Sequence, residues 1–258
     1  MEALSDRLRD KTSARPCPVC ASPADAARIV YEQRLDPAGV GSFAFASRKT
    51  PELMHWRLVE CRTCGMLFAS PAPRELLADA YRDADYDSGE EARYAGARTA
   101  SLCAGCARDC RSTAARWTLA PATAPSSRSC SRSGFTEVAG VEPSQAALDS
   151  AASRVRPLLH AGVFSASDFE PGRLRLFSCL QTVEHLPEPL PVFRDAHALL
   201  REGGALLVVC HDRTAPLNRL LGRRSPIYDI EHLQLFDPRS LRGLLERAGF
   251  HARARRAS

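Results

Sequence analysis

The second half of the chain alternates short apolar runs with stretches in which apolar positions recur at helical spacing. The apolar runs predict strands over residues 137–141, 162–164, 174–180 and 205–210. Helical spacing and capping residues predict helices over residues 143–152, 189–201 (stopped by Gly203 and Gly204) and 237–249. Strands that alternate with amphipathic helices favour a parallel sheet covered on both faces. The predicted class is therefore α/β, with a Rossmann-like doubly wound sheet.

The first hundred residues follow a different pattern. Residues 28–31 and 56–60 resemble strands, and Ser70-Pro-Ala-Pro73 ends this part of the chain. Residues 75–83 are predicted to form a short helix with Leu76, Leu77 and Tyr81 along one side. Nothing in that helix demands chemistry, so we interpret it as a packed linker. The predicted organisation is a leader over residues 1–72, a helical linker over 73–112 and an α/β domain over 113–258.

Ten cysteines occur in the chain, and four of them form two C-x-x-C pairs. These pairs are Cys17 with Cys20 and Cys61 with Cys64. Two such turns supply the four thiolates of a tetrahedral structural zinc site, which leaves no open position for catalysis. The predicted strands between the pairs are consistent with a small zinc ribbon that carries an inserted loop. The alternatives are four unrelated buried cysteines or a redox pair.

Composition excludes several classes of protein. Apolar residues make up 45% and charged residues 25%, which is ordinary globular usage. No apolar run is long enough to span a bilayer, and the N-terminus has no apolar signal segment, so we expect a cytoplasmic protein with no membrane partner. A net charge of +5 with scattered arginines argues against nucleic acid as a partner. Only two lysines beside many arginines indicate a GC-rich bacterial gene.

Glu142 stands at the end of a predicted strand. Ligands of doubly wound sheets bind beyond the carboxyl ends of the strands, where a carboxylate can accept hydrogen bonds from a ribose diol. The alternative is a charge that pairs with the dipole of the following helix. On this residue alone, both interpretations stay open.

Residues 134–250 resemble a class I S-adenosylmethionine-dependent methyltransferase. The motifs that carry the resemblance are Val138-Ala-Gly-Val-Glu-Pro-Ser144, Gln181-Thr-Val-Glu-His-Leu-Pro-Glu-Pro189, Ala198-Leu-Leu-Arg-Glu-Gly-Gly-Ala-Leu-Leu-Val208 and Ile230-Glu-His-Leu-Gln-Leu-Phe236. The cysteine pairs and the following linker resemble a bacterial subgroup with a zinc-ribbon leader. The resemblance implies S-adenosylmethionine as cofactor and a small-molecule or sugar-linked methyl acceptor.

The resemblance also implies roles for individual residues. Glu142 would bind the ribose, Asp168 and Phe169 would flank the adenine, and Gln181 would line the methionine end. Glu184 and His185 would face the acceptor, with His185 as the candidate catalytic base. Each residue has a structural alternative: Asp168 as a turn cap, Phe169 as core, and Glu184 and His185 as the start of a helix.

The chain departs from the family where a glycine-rich loop should follow the first strand. Residues 116–130 contain no glycine and two prolines. Read one base earlier, GC-rich codons for this stretch can encode Leu-Asp-Val-Gly-Ala-Gly-Asp-Gly-Ala. We therefore hypothesise that residues 100–133, including Cys103, Cys106, Cys110 and Cys130, are translated out of frame; a true cysteine-rich metal site is the competing interpretation.

The end of the sequence also differs from the family, because a last pair of strands is expected after Phe250. The predicted fold thus has a disrupted first-strand loop and truncated C-terminal strands. The predicted function is methyl transfer, with activity impaired in the chain as written. The alternative is a non-catalytic zinc-binding pseudoenzyme or scaffold.

Overall fold

The computed structural model describes residues 12–36, 40, 43–45, 53–73, 77–86, 116–119, 138–153 and 155–253, with only the backbone of residues 116–119. Five strands form a parallel sheet: β4 (Arg116–Leu119), β5 (Val138–Glu142), β6 (Leu159–Ala161), β7 (Leu174–Leu180) and β8 (Leu200–Val209). Their order across the sheet is β6-β5-β4-β7-β8. The chain therefore reverses direction of winding beside β4, as in a doubly wound sheet, and the predicted fold class is confirmed.

The central strand β4 lies where the family's first strand belongs. Arg116 pairs with Val138 of β5 on one side and with Leu176 of β7 on the other. Leu119 ends β4 at the carboxyl edge of the sheet, where ligands of such sheets bind. Residues 120–137, on which the predicted loss of the glycine loop rests, lie outside the described residues, and so do the four cysteines between 103 and 130.

Five α-helices lie within the described residues. They are α1 (Leu77–Asp83), α2 (Gln145–Ser150), α3 (Pro189–Leu199), α4 (Pro216–Leu221) and α5 (Pro238–Arg247). Asp237 caps α5, because its carboxylate accepts hydrogen bonds from the backbone of Arg239 and Ser240. None of the described helices has the length and apolar content needed to cross a bilayer.

Two predicted boundaries in the α/β part are wrong. The strand predicted at 162–164 is Leu159–Ala161, and Gly162 instead has a φ of 118° in the turn that follows. The helix predicted to reach Arg201 ends at Leu199, and β8 runs through Gly203 and Gly204. A side chain at Gly204 would lie 2.8 Å from the carbonyl oxygen of Arg201. Gly204 thus permits a close backbone approach within the strand, Gly203 adopts a φ of 70°, and neither glycine stops the helix.

The leader contributes three strands of a separate antiparallel sheet. These are β1 (Ala27–Tyr31), β2 (Leu58–Cys61) and β3 (Leu67–Ala69), of which the strand-like composition of residues 28–31 and 56–60 predicts the first two. The fourth strand is β9 (Gln234–Leu235), which pairs with β3 in antiparallel register. A segment from the α/β half of the sequence therefore completes the sheet of the leader.

Two apolar cores hold the described residues together, and each contains residues of both halves. One joins Cys61 and Phe68 to Phe177, Phe193 and Leu244. The other joins residues of the leader to the buried segment from Ile227 to Leu235. Apolar packing crosses the predicted domain boundaries at residues 72 and 112. These boundaries stay a prediction.

Candidate functional site

The four cysteines of the C-x-x-C pairs come together at one end of the leader sheet. Their Sγ atoms all lie within 4.8 Å of one another, with 3.5 Å between Cys17 and Cys64 and 3.4 Å between Cys20 and Cys61. Sulfur atoms of a tetrahedral zinc shell are about 3.8 Å apart, given a zinc–sulfur bond of about 2.3 Å. The donor set and the spacing therefore fit a zinc ion.

Two tight turns produce this arrangement. The backbone amide of Ala21 donates to the carbonyl of Cys17, and that of Gly65 donates to Cys61, both at 2.9 Å. Gly65 has a φ of 73°, a conformation that glycine adopts without strain. Burial tends to raise the pKa of Cys61, but hydrogen bonds from the Cys64 backbone and the Cys20 side chain lower it to about 6.

Glu142 ends β5 at the carboxyl edge of the parallel sheet. Its side chain is buried, and its Oε1 accepts a hydrogen bond from the backbone amide of Ser144 at 2.8 Å. The hydroxyl of Ser144 in turn caps α2 by accepting from the amide of Ala147. The carboxylate therefore lies at a strand end, as the ribose-binding interpretation requires, and also contacts the start of the following helix, as the helix-dipole interpretation requires.

Asp168 and Phe169 follow β6 in a short 3₁₀ turn, Ala166–Asp168. Asp168 is exposed, whereas Phe169 belongs to the core. The ring of Phe169 stacks on Phe164 with 5.8 Å between ring centroids, and His160 meets it edge-on at 5.6 Å. The carboxylates of Glu142 and Asp168 and this aromatic cluster have the chemistry that a ribose and an adenine require.

Gln181 directly follows β7, the neighbour of β4. Its φ of 51° lies in the left-handed region, and its amide donates to the carbonyl of Val209 at 2.7 Å. Non-glycine residues in this conformation are uncommon and concentrate at binding sites, where the surrounding structure holds the strain. The side chain is exposed at the edge where ligands of such sheets bind.

A cluster of polar side chains lies beyond β7: Tyr81, His185, Glu231 and His232. The hydroxyl of Tyr81 is 2.7 Å from Nδ1 of His185, and the two imidazole rings are 4.9 Å apart between centroids. Burial lowers the pKa of both His185 and His232, so both imidazoles are neutral near pH 7. Neutral imidazoles are competent proton acceptors.

The same cluster has the donor set of a metal site, because one ligand atom each from His185, Glu231 and His232 lies within 4.8 Å of the others. However, Nδ1 of His232 is 2.8 Å from the carbonyl of Ile227, and Nδ1 of His185 is in contact with Tyr81. These hydrogen bonds occupy one nitrogen of each imidazole. The second nitrogen of each ring is the one that can accept a proton or bind a metal ion, since metal-binding histidines also hydrogen-bond through their other nitrogen.

Glu184 and His211 form a second pair beside this cluster. Oε1 of Glu184 accepts hydrogen bonds from the backbone amide of His211 at 2.7 Å and from its Nδ1 at 3.1 Å. Burial alone would raise the pKa of Glu184 and lower that of His211. The contact between them reverses both effects, so the pKa of Glu184 is lowered and that of His211 is raised. Both shifts favour a carboxylate–imidazolium pair.

Sequence analysis missed Tyr81, His211 and His232 as members of this site. Tyr81 was assigned to a linker without chemistry, yet α1 places its hydroxyl against His185. His211 lies two residues after the end of β8, and a polar residue close to a strand end was the available signal. His232 belongs to a motif, Ile230–Phe236, that carried the family resemblance without an assigned role.

Comparisons with known proteins agree with this architecture at the level of the family. Residues 119–254 match a family model described as a methyltransferase domain. A comparison with curated proteins gives no match.

Several solved structures are similar to this chain. The YcgJ protein of Bacillus subtilis matches at 16% identity over 59% of this chain and 68% of its own, with a TM-score of 0.47. An S-adenosylmethionine-dependent methyltransferase of Thermotoga maritima, described as a possible histamine N-methyltransferase, matches at 19% identity over 63% and 76%, with a TM-score of 0.47. Phosphoethanolamine N-methyltransferase 2 of Haemonchus contortus matches at 18% identity over 55% of this chain and 35% of its own, with a TM-score of 0.40.

The family match spans more than half of the chain, and it coincides with the doubly wound sheet. The chain therefore belongs to the class I S-adenosylmethionine-dependent methyltransferases.

Proposed function

We propose that this protein transfers a methyl group from S-adenosylmethionine to a small-molecule or sugar-linked acceptor, and that the chain as written does so poorly. The observation that carries the proposal is the cluster of neutral imidazoles beyond β7, next to Gln181. The cofactor supplies an electrophilic methyl group on a sulfonium. The residues of the chain must then bind the cofactor, position the acceptor and remove its proton.

The cofactor would lie along the carboxyl edge of the parallel sheet. Glu142 would accept hydrogen bonds from the ribose hydroxyls, and Asp168 and Phe169 would border the adenine. Gln181 would contact the methionine end. Support comes from Glu142 and Gln181, which lie at or directly after the ends of β5 and β7 on the two sides of β4, and from the turn between β6 and β7 that carries Asp168.

We infer that His185 and His232 have different roles toward the acceptor. His232 donates from Nδ1 to the carbonyl of Ile227, which leaves Nε2 as the proton acceptor. Nδ1 of His185 is engaged by Tyr81 and lies 3.2 Å from the carbonyl of Glu231. We therefore propose that His232 takes the proton of the acceptor, and that His185, the base expected from the sequence, holds the acceptor together with Tyr81.

The four cysteines would hold zinc in a structural role. Their sulfur atoms enclose the ion completely, so it would have no open position for an acceptor. A bound ion would fix the two turns that precede β1 and β3, and through β3 it would support β9.

Isothermal titration of S-adenosylmethionine tests the proposal. It would be run on the chain as written and on a chain in which codons 100–133 are returned to the frame that encodes the glycine loop. We expect binding by the restored chain, at least tenfold weaker binding by the original chain, and a tenfold loss in the restored chain on Glu142→Ala. Glu170→Ala, an exposed carboxylate after Phe169, is the matched control.

Two outcomes oppose the proposal in different ways. If neither chain binds the cofactor but both bind zinc, the protein is a zinc-binding scaffold and not a methyltransferase. If sequencing of the gene over codons 95–135 shows no frame change and the original chain binds as tightly as the restored one, the out-of-frame hypothesis is wrong and the enzyme is unimpaired.

A further inference from the structure

The pair of Glu184 and His211 differs from the other charged contacts of the described residues, because one partner is fully buried and the other is partly exposed. The side chain of Glu184 is 0% exposed, whereas that of His211 is 41% exposed. One carboxylate oxygen of Glu184 accepts hydrogen bonds from both the backbone amide and Nδ1 of His211. The imidazole is thus fixed by its inner nitrogen, and its outer nitrogen, Nε2, makes no hydrogen bond within the part of the chain that the structure describes.

His211 also borders the proposed proton acceptor. Its ring centroid lies 5.4 Å from that of His232. Both residues therefore face one small region at the carboxyl edge of the sheet, one as a neutral imidazole and the other as a hydrogen-bond donor. Neighbouring groups with opposite protonation mark the acid and the base of a site.

We propose that His211, held by Glu184, is the oxyanion-binding residue of the acceptor pocket. Its Nε2–H would donate to a carboxylate or phosphate oxygen of the acceptor, and so orient that molecule with its reactive group toward His232. The inference rests on the proposed function for its meaning, but the binding of an oxyanion can be measured without any methyl transfer.

Several charged or titratable groups lie around His211, and two of them, Glu184 and Glu231, raise its pKa. Glu184 and His185 come from the turn after β7, and Asp212 is its own neighbour in sequence. Glu231 and His232 come from the segment before β9, and Glu231 favours the protonated form of His211 while His232 is neutral. Glu184 is the only one of these in hydrogen-bond contact with His211 among the described residues, so its removal has the largest expected effect.

The test is a nuclear magnetic resonance titration of the full chain, with histidines labelled at Cε1. Inorganic phosphate and sodium acetate are the probes, and His211→Asn assigns the signal. We expect one or both anions to shift the His211 signal at millimolar concentration, and His211→Asn or His211→Gln to weaken the affinity at least fivefold. Glu184→Gln should lower the pKa of His211 and weaken anion binding. His251→Asn, an exposed histidine, is the control and should change neither.

The two anions distinguish the sources of the oxyanion. Tighter binding of phosphate points to a phosphorylated acceptor, and tighter binding of acetate points to a carboxylate. The proposal is overturned if neither anion moves the His211 signal, or if both bind to His211→Asn as tightly as to the unmodified chain. Cofactor binding is measured separately, so a failure here leaves the methyltransferase proposal intact.

Discussion

The indole Nε1 of Trp56 donates a hydrogen bond to the carbonyl oxygen of Ile230 at 2.7 Å, although 174 residues separate them. Both residues are 1% exposed. Ile230 directly precedes Glu231 and His232, so a residue of the leader fixes the backbone that carries the proposed base. The amide of Ala69 continues this attachment by donating to the carbonyl of Leu233 at 2.7 Å.

Replacing Trp56 by phenylalanine keeps a ring but removes the indole donor. The buried carbonyl of Ile230 would then lack its hydrogen bond, which costs about 1–3 kcal/mol. We expect urea unfolding to show a loss of that size and the His232 resonance to shift. Phe43→Leu, at a half-exposed aromatic ring of the leader, should leave both unchanged. An unfolding free energy of Trp56→Phe equal to that of the parent would show that this hydrogen bond contributes nothing.

Cys61→Ser should abolish zinc binding. Four thiolates form the proposed shell, and a hydroxyl is a much poorer ligand for zinc at neutral pH. Elemental analysis of the purified chain should find one zinc per molecule in the parent and in Cys210→Ser, whose thiol follows β8 and lies outside the cysteine cluster. Equal zinc content in Cys61→Ser and the parent would rule out the four-cysteine site.

Glu184→Gln should destabilise the fold in a pH-dependent manner. The pKa of His211 is raised above 6.5, so its contribution is complete below pH 6.5 and is lost as the pH rises through the folded-state value. The pKa of Glu184 is lowered beneath 4.5, so its contribution is complete above pH 4.5 and is lost as the pH falls. The pair is therefore most stabilising between pH 4.5 and 6.5.

We expect Glu184→Gln to cost about 1–2 kcal/mol near pH 5.5, and less near pH 8.5. This is below the 3–5 kcal/mol typical of a fully buried pair, because solvent screens the exposed side of His211. Urea denaturation at both pH values measures the difference. The exposed pair of Arg156 and Asp149 supplies the control Asp149→Asn, which should show a negligible cost at either pH. A cost that does not change with pH would contradict the ionised pair.

Gln181→Gly should stabilise the protein and weaken the binding of the cofactor. Glutamine is strained at a φ of 51°, whereas glycine adopts it without steric cost. Glycine loses more conformational entropy on folding, but we expect the relief of strain to exceed that cost by about 0.5–1 kcal/mol of unfolding free energy. Ala21→Gly, at an exposed residue with a φ of 61°, should give a similar gain. Only Gln181→Gly should weaken S-adenosylmethionine binding in the frame-restored chain. Equal affinity in both variants would remove Gln181 from the proposed cofactor site.

The amino-acid sequence by itself determined many of the local elements and the cluster of four cysteines. Leu174–Leu180 is mostly apolar and forms β7 with the predicted bounds, because a strand buried on both faces needs no strict polar alternation. The C-x-x-C spacing predicted the cysteine cluster, because each pair is closed by hydrogen bonds between near neighbours in sequence. Gly203 and Gly204 misled the prediction, since the role of Gly204 depends on the close approach of the backbone of Leu174 and Arg201, and that of Gly203 on its φ of 70°.

Only the tertiary structure decided which distant residues share a site. Tyr81 meets His185 across 104 residues, and no local pattern records such a contact. Gln234–Leu235 is too short for a strand to be predicted from the sequence. It forms one because β3 of the leader has an open edge with which it pairs. Burial and neighbouring charge then set the pKa values of the histidines: burial lowers the pKa of His232, whereas the contact with Glu184 raises the pKa of His211.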